Sequence, residues 1–396
     1  MTLRQGREFL SIPGPTNIPD QVLNAMHRPA MEIYSGDMLG VTDSLLEDLR
    51  KVFRTEGRTY IYAANGHGVW EAAISNMLCK GDKVLVLESG RFAVGWGEMA
   101  TIQGAEVEVL EAAPRRAVDP AAVEARLRED TDHQIRAIMV VQIDTASGIV
   151  NDIAAIRKAI DAAGHPALFM VDGMASIGCM EFEMDKWGVD VAIVGSQKGL
   201  MSPPGLGLVA AGPKAVEAHK TADMVTHYWD WTAREGEVHY QKYCGTPPEH
   251  LLFALRESID MLFEEGMENA WERHRLLAGA VHAAVSEWSK GGAMEFNIPE
   301  ASERAPSVTP VLMKNGVDPA GLLKWCDEQC GVVVGGGIGD LSGKAMRIAH
   351  MGYTNAPMMM GTLSVLEMGL QALDIPQGKG GAQAAINYLA TAVRKN

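Results

Sequence analysis

Residues 167–200 read ALFMVDGMASIGCMEFEMDKWGVDVAIVGSQKGL. Two short apolar runs stand in this stretch, Ala167–Val171 leading into Asp172 and Val189–Val194 leading into Gly195 and Ser196. Runs this short and continuous, without polar alternation, are what strands buried on both faces look like. Each run ends on a residue with useful chemistry, Asp172 in the first case and Lys198, just after Gln197, in the second. Ligands of open α/β sheets bind beyond the carboxyl ends of the strands, where both residues fall.

Working outward, the same rhythm continues. Tyr60–Ala64, Lys83–Glu88, Glu106–Leu110, Ile135–Ile143 and Leu206–Ala210 are further strand candidates. Between them Val69–Leu78 carries Trp70, Ala73, Ile74 and Met77 at helical spacing. Asp119 before Pro120 is an N-cap followed by proline at the first helical position, and it opens a helix to about Arg128. Asp152–Ala163 is a helix closed by Gly164. A βαβα succession predicts an α/β fold, with a mostly parallel sheet between helices. After about residue 250 the pattern changes to long helices, Leu251–Phe263 and Asn269–Trp288. A strand at Ser307–Met313, a helix at Pro319–Gln329, strands at Val332–Val334 and Ala345–Ala349, and two terminal helices follow. This is a smaller α+β unit. The expected division is an N-terminal arm, 1–18, a large domain, 19–262, and a small C-terminal domain, 263–396.

Composition bounds the partners. The chain has 396 residues, enough for two or three domains of roughly 100–200 residues each. Lys and Arg total 35 against 50 Asp and Glu, a net charge of −15, which disfavours nucleic acid as a general partner. No run approaches 18 uninterrupted apolar residues, so no membrane helix is expected. Met1–Leu10 lacks the apolar core of a secretory signal. Five scattered cysteines fit a reducing cytoplasm better than a disulfide framework. Cys326 and Cys330, four apart with no second Cys or His pair nearby, read as packed thiols, and no metal site is expected.

Four groups of residues carry candidate chemistry, and each has a plain structural alternative. A poorly solvated Lys198 has a lowered pKa, and its neutral amine can attack a carbonyl to form a Schiff base; alternatively it is a solvated surface lysine. Asp172 can keep a pyridinium nitrogen protonated, as pyridoxal phosphate chemistry requires, or simply cap the following turn. Asn65-Gly66-His67-Gly68 joins a strand to a helix N-terminus, where exposed N–H groups and the helix dipole favour a phosphate. His67 can lie against a flat ring or only bond backbone. Arg347, alone among apolar neighbours in AMRIAH, needs a carboxylate, from a substrate or from the protein itself. Gly335-Gly336-Gly337-Ile338-Gly339 matches neither a phosphate-binding P-loop nor a dinucleotide G-x-G-x-x-G motif. It reads as a hairpin-type loop near the site.

Together these residues resemble the class V, fold-type-I aminotransferases dependent on pyridoxal 5′-phosphate, in particular the alanine–glyoxylate and serine–glyoxylate aminotransferase family. The resemblance runs from Ile12-Pro13-Gly14-Pro15 through the Asn-Gly-His-Gly loop, Asp172, Ser196-Gln197-Lys198, Pro203-Pro204-Gly205 and Leu255-Arg256-Glu257-Ser258 to Arg347-Ile348. It implies a seven-stranded-type large-domain sheet with a smaller C-terminal domain. It implies that Lys198 holds the cofactor covalently and that Asp172 pairs with the ring nitrogen. Asn65, Gly66, His67, Gly68 and Gln197 would surround the phosphate. Phe92 matches the ring-stacking position, and Thr145 the hydroxyl beside the ring oxygen. Tyr243 and Thr246 match a segment reaching the phosphate of a neighbouring subunit, which implies a homodimer with shared sites. Arg347 matches the clamp on the substrate carboxylate. The implied reaction is a ping-pong transfer of an amino group from alanine, serine or aspartate to glyoxylate or pyruvate. The freed Lys198 amine would move the α-proton.

The chain departs from the serine–glyoxylate pattern in its Asn-Gly-His-Gly loop and in Gln142-Ile143-Asp144. The loop is nearer the alanine–glyoxylate type. His227–Trp231 with Arg234 reads equally as an entrance or as a surface patch. Rival readings are a lyase or cysteine desulfurase of the same fold and a nicotinamide-dependent oxidoreductase. The first lacks a cysteine on a mobile loop, and the second lacks an intact glycine motif.

Overall fold

The computed structural model describes residues 2–394. Seven strands form the main sheet. Their spatial order is Arg58–Ala63, Leu206–Ala211, Val191–Gly195, Leu168–Asp172, Ile135–Val141, Lys83–Leu87 and Glu106–Leu110. Leu206–Ala211 runs antiparallel to both neighbours, and the remaining pairs are parallel. Side chains of successive residues enter opposite cores. Leu85, Leu87, Ile138, Val140, Phe169 and Val171 face one helical layer. Val84, Val86, Ala137, Met139, Leu168 and Met170 face the other. Burial on both faces explains the continuous apolar runs of the sequence.

The caps behave as their chemistry dictates. Asp119 accepts from the Ala121 N–H at 2.9 Å and opens Pro120–Glu129. Asp152 does the same for Ala155 at 2.9 Å, and Gly164, at φ +66°, closes Ile153–Ala163. The helix Glu249–Glu265 still packs on the main sheet through Leu252, Leu255, Ile259 and Leu262. Past Gly266 the chain changes partner gradually: Met267 and Ala270 still belong to the first core, and from Leu277 the helix Met267–Ser289 packs in a separate core with Ala356–Ala372. We propose that the large and small domains divide there.

That second core covers a five-stranded sheet ordered Phe9–Ser11, Val332–Gly336, Ala345–Ala349, Val308–Met313 and Met294–Phe296. Phe9–Ser11 pairs parallel to Val332–Val334, so the N-terminal arm is stitched into this sheet. The glycine-rich stretch is a hairpin: Gly335 and Gly336 pair with Arg347 and Met346. Cys326 is fully buried in the same core, and all five cysteines are free. Among the described residues there is no metal-ligand cluster and no helix long and apolar enough to cross a membrane.

Three histidines lie around this sheet, His274 and His350 fully buried and His282 half-buried. His274 Nδ1 bonds the Ala270 carbonyl at 2.6 Å, and its Nε2 accepts from the Gly352 N–H at 2.9 Å. His350 bonds the Pro306 carbonyl and the Thr309 hydroxyl, and His282 stands 6.4 Å from it, ring to ring. Burial pushes His274 and His350 down to about 3 and His282 down to about 4. All three are therefore neutral in the fold, while in the unfolded chain they take up protons near pH 6.5. Their stabilisation is full above pH 6.5 and is lost progressively as pH falls from there towards 4 and 3. One pH unit below 6.5 each histidine costs roughly 1 kcal/mol. The thermal midpoint should drop steeply between pH 6.5 and 5, and His282→Phe should flatten that slope. A midpoint constant over this range would contradict the assignment.

Candidate active site

Both key residues sit where strands of the main sheet end. Leu168–Asp172 closes on Asp172, which is 1% exposed. Val191–Gly195 runs into the turn that carries Lys198, which is 9% exposed. The solvated-surface alternative for Lys198 is thus excluded. Burial is the main force on both. It pushes Lys198 down to about 8 against the pull of Asp172, and it pushes Asp172 up to about 6 against its own hydrogen bonds. The Asp172 carboxylate accepts from the Met174 N–H and from the Trp70 indole N–H, both at 2.6 Å. It therefore does cap its turn, but it also faces a cavity.

That cavity measures about 200 Å³ and gathers most of the expected residues: Asn65, Gly66, His67, Phe92, Thr145, Asp172, Gln197 and Lys198. Trp70, Val141, Ile143, Met174 and Ala175 complete its wall. Asn65 caps the helix Gly66–Met77 by accepting from the Gly68 N–H at 3.1 Å. Among the first N–H groups of that helix, those of Gly66 and His67 have no carbonyl four residues back within the helix to bond. Gly68 lies just outside the cavity, against the Trp229 edge. Burial, assisted by the nearby Arg91 guanidinium, lowers the pKa of His67.

The aromatic and hydroxyl positions are fixed by a residue that the sequence reading named only in passing. Asp144 is fully buried and accepts from the N–H groups of Phe92 (2.8 Å), Ala93 (3.2 Å) and Ala146 (2.9 Å). It thereby anchors the helix start bearing Phe92 and the turn bearing Thr145. Gly90, at φ +154°, passes so close that a Cβ would lie 2.6 Å from the Asp144 Cγ.

Arg347 comes from the smaller sheet. Its Nε donates to the Gly336 carbonyl at 2.6 Å and its Nη1 to the Thr145 carbonyl at 3.1 Å. Neither bond uses Nη2. Among the described residues no carboxylate pairs with Arg347, so the intramolecular salt bridge is excluded. Arg347 stands beside the cavity rather than in its wall.

Two expected residues are not brought to the cavity. Tyr243 is 2% exposed, and its hydroxyl is bound to Thr42 at 2.7 Å in its own chain. Thr246 is exposed on the adjoining turn. In the segment His227–Trp231 with Arg234, His227 and Tyr228 are exposed, whereas Trp231 and Arg234 are buried. Arg234 is 3% exposed, donates to the carbonyls of Ile61, Tyr228 and Lys242, and stacks 3.9 Å from the Tyr62 ring centroid.

The sequence reading missed two contacts. Lys198 Nζ donates to the Pro13 carbonyl at 2.6 Å, so the N-terminal arm lies directly over it. The crossing is tight, because a Cβ on Gly14, at φ +92°, would sit 3.1 Å from the Lys198 Cγ. The other missed contact is that of Trp70 with Asp172. The Pro-Gly-Pro run and a tryptophan three residues after His67 were the available signals.

A buried lysine and a buried carboxylate at adjacent strand ends thus share one cavity with the start of the helix Gly66–Met77, and Arg347, without a carboxylate partner among the described residues, stands beside it. A family model for aminotransferase class-V matches residues 9–353. The chain belongs to that family, and it is an aminotransferase. It is 40% identical over 396 residues to the serine–glyoxylate aminotransferase of Methylorubrum extorquens, covering 98% of this chain and 97% of that one. It is 36% identical over 385 residues to the L-aspartate–glyoxylate aminotransferase of Paracoccus denitrificans, covering 96% of both. Among solved structures, ureidoglycine–glyoxylate aminotransferase from Bacillus subtilis superposes with a TM-score of 0.88 at 28% identity, covering 98% of this chain and 99% of that one. The likeness to the serine–glyoxylate relative spans nearly the whole chain. The fold and family leave neither the lyase nor the oxidoreductase reading in favour.

Proposed function

We propose that this aminotransferase works with pyridoxal 5′-phosphate and moves an amino group from serine, alanine or aspartate to glyoxylate or a similarly small 2-oxo acid such as pyruvate. The observation that carries this reading is the pairing of buried Lys198 with buried Asp172 in one cavity. The residues present fit the cofactor. The Gly66 and His67 N–H groups at the helix start suit a phosphate. Gln197 lines the same cavity, and its amide N–H, not the carbonyl oxygen, would be the donor to a phosphate. Asn65, Gly66, His67, Gly68 and Gln197 would hold the phosphate, Phe92 the ring face, Thr145 the ring oxygen and Asp172 the ring nitrogen. Bound there, pyridoxal phosphate supplies a ring that draws in the charge left at the substrate Cα.

The chain's own residues do the rest. Lys198, with its pKa lowered by burial, has a neutral amine near pH 8 and can both attach a carbonyl and take a proton from Cα. Asp172, ionised above about pH 6, keeps a proton on the ring nitrogen. Arg347 grips the substrate α-carboxylate and so orients the Cα–H bond. Donor and acceptor use this site in turn.

Relatives named for serine and for aspartate, both acting with glyoxylate, support the choice of substrates. We further propose a homodimer in which the segment carrying Tyr243 and the exposed Thr246 serves the neighbouring site. Five free cysteines support a reducing compartment such as the cytoplasm.

Two tests follow. Adding donors singly to the loaded, yellow protein should bleach the visible band with the true donor and leave it unchanged with the others. A protein that no small amino acid bleaches would refute the substrate class. Arg347→Ala should raise KM for donor and acceptor alike, roughly 30-fold or more, with a smaller fall in kcat. An unchanged KM would remove Arg347 from carboxylate binding.

A further inference from the structure

Trp70 and Trp96 pack with nearly parallel rings, centroids 6.1 Å apart and planes 16° apart. Both are buried, at 3% and 1% exposure. Their indole N–H groups fare differently. Trp96 Nε1 has no partner, whereas Trp70 Nε1 donates to Asp172 Oδ2 at 2.6 Å. Trp70 is also hemmed in on other sides. The His67 ring lies 4.7 Å away at 58°, and the Phe92 ring 6.3 Å away at 64°. Three aromatic neighbours fix the indole in one orientation, and that orientation aims its only polar atom at the carboxylate.

The chemistry of this donor matters. An indole N–H donates only and does not titrate, so it favours the ionised carboxylate at every working pH. The other Asp172 oxygen takes the Met174 N–H. A backbone amide and an indole thus pin the two oxygens separately, and the carboxylate plane cannot turn. Lys198 is the other charged group facing Asp172, and Asp144 is the next acid. Neither donates a hydrogen bond to it. Burial works to neutralise Asp172, and Trp70 is the one side chain whose bond opposes that.

We propose that Trp70 is a positioning residue: its indole N–H sets the orientation and the ionised state of Asp172, and through them the hold on the cofactor's ring nitrogen. This rests on the reading of Asp172 as the ring-nitrogen partner. It also explains why the phosphate loop and Asp172 act together. Trp70 belongs to the helix whose N-terminus bears Asn65–Gly68, so one rigid element sets both ends of the cofactor's seat.

The test compares two identical substitutions on neighbouring rings. Trp70→Phe deletes a bonded N–H, and Trp96→Phe deletes an unbonded one. Equilibrium dialysis with pyridoxal phosphate between pH 5 and 8 gives Kd and its pH midpoint without reference to activity. Trp70→Phe should weaken binding roughly tenfold and move the acid midpoint up by about one pH unit, while Trp96→Phe matches the unsubstituted protein. Equal behaviour of the two variants, or a Trp70→Phe curve like that of the unsubstituted protein, would overturn the proposal.

A second measurement needs no tryptophan variant. In protein labelled with 15N-tryptophan, one of the eight indole N–H signals should move with pH in step with Asp172 and stay still in Asp172→Asn. No moving signal would overturn the Trp70–Asp172 link. If pyridoxal phosphate does not bind at all, the cofactor reading falls, and the NMR titration still decides the link by itself.

Discussion

Lys198→Ala should lower kcat by roughly 10³- to 10⁴-fold or more, the largest loss expected of any single substitution in the chain. The argument is one of position and protonation. Lys198 lies on the turn after Val191–Gly195, in a setting that brings its pKa down to about 8. Among the described residues no other amine lines the cavity to take its place as base. On the proposed reading the loss should fall on kcat, because Arg347 and the helix N-terminus are left in place to bind substrate and phosphate. Cofactor should still enter the variant but wash out on dialysis, since its covalent hold is gone. Folding should survive: the lysine amine is bound to the Pro13 carbonyl alone, and alanine removes a buried cation rather than an apolar core residue. Steady-state kinetics with added cofactor check the first point, and absorbance after dialysis checks the second. A variant retaining a tenth of the activity would exclude Lys198 as the base.

Asp172→Asn should cost the next largest factor, roughly 10²- to 10³-fold in kcat. An amide cannot hold the ring nitrogen protonated, so the pull on the charge at Cα is lost. Stability should change little. The substitution relieves a buried charge, but the amide nitrogen now opposes either the Trp70 or the Met174 donor. The sign is consistent with the raised pKa. Ionised Asp172 weakens the fold as pH rises through about 6, so removing it offsets the orphaned donor. Kinetics together with a thermal melt separate the two effects. Loss of activity together with a large drop in the thermal midpoint would point to a structural role instead.

Much of the fold could be read from residues alone because burial on both sheet faces leaves an unmistakable mark. KVLVL, LFMVD and VAIVG have no polar alternation and can only be interior strands. What went unread has equally physical causes. The helix Arg91–Gln103 contains Gly95 and Gly97, which weaken a helical pattern. A Cβ on Gly97 would lie 3.0 Å from a Val86 methyl, so that glycine is there for close packing on the strand. The strands Phe9–Ser11 and Met294–Phe296 are three residues long and take their pairing from distant segments, which no local signal encodes. The helix Asp37–Phe53 did carry a readable stripe, Met38, Leu45, Leu49 and Val52, and went unread all the same.

The site shows the same division. Lys198, Asp172 and the Asn65–Gly68 loop announce themselves because a charge or a glycine pair interrupts an apolar pattern. The Pro13 carbonyl does not, since a backbone atom has no residue-type signature. Nor does Trp70, which on a helix reads as core until its N–H is seen to face a carboxylate. Tyr243 is a different case: the resemblance implies a reach to another subunit, and within its own chain its hydroxyl bonds Thr42.

The central claim is that Lys198 is the amine that holds the cofactor. Borohydride reduction of protein loaded with pyridoxal phosphate, followed by peptide mass spectrometry, tests it directly. The account predicts one pyridoxyl phosphate group per chain, on the peptide carrying Lys198, and none in Lys198→Ala. A group found on another lysine, or on none, would contradict it.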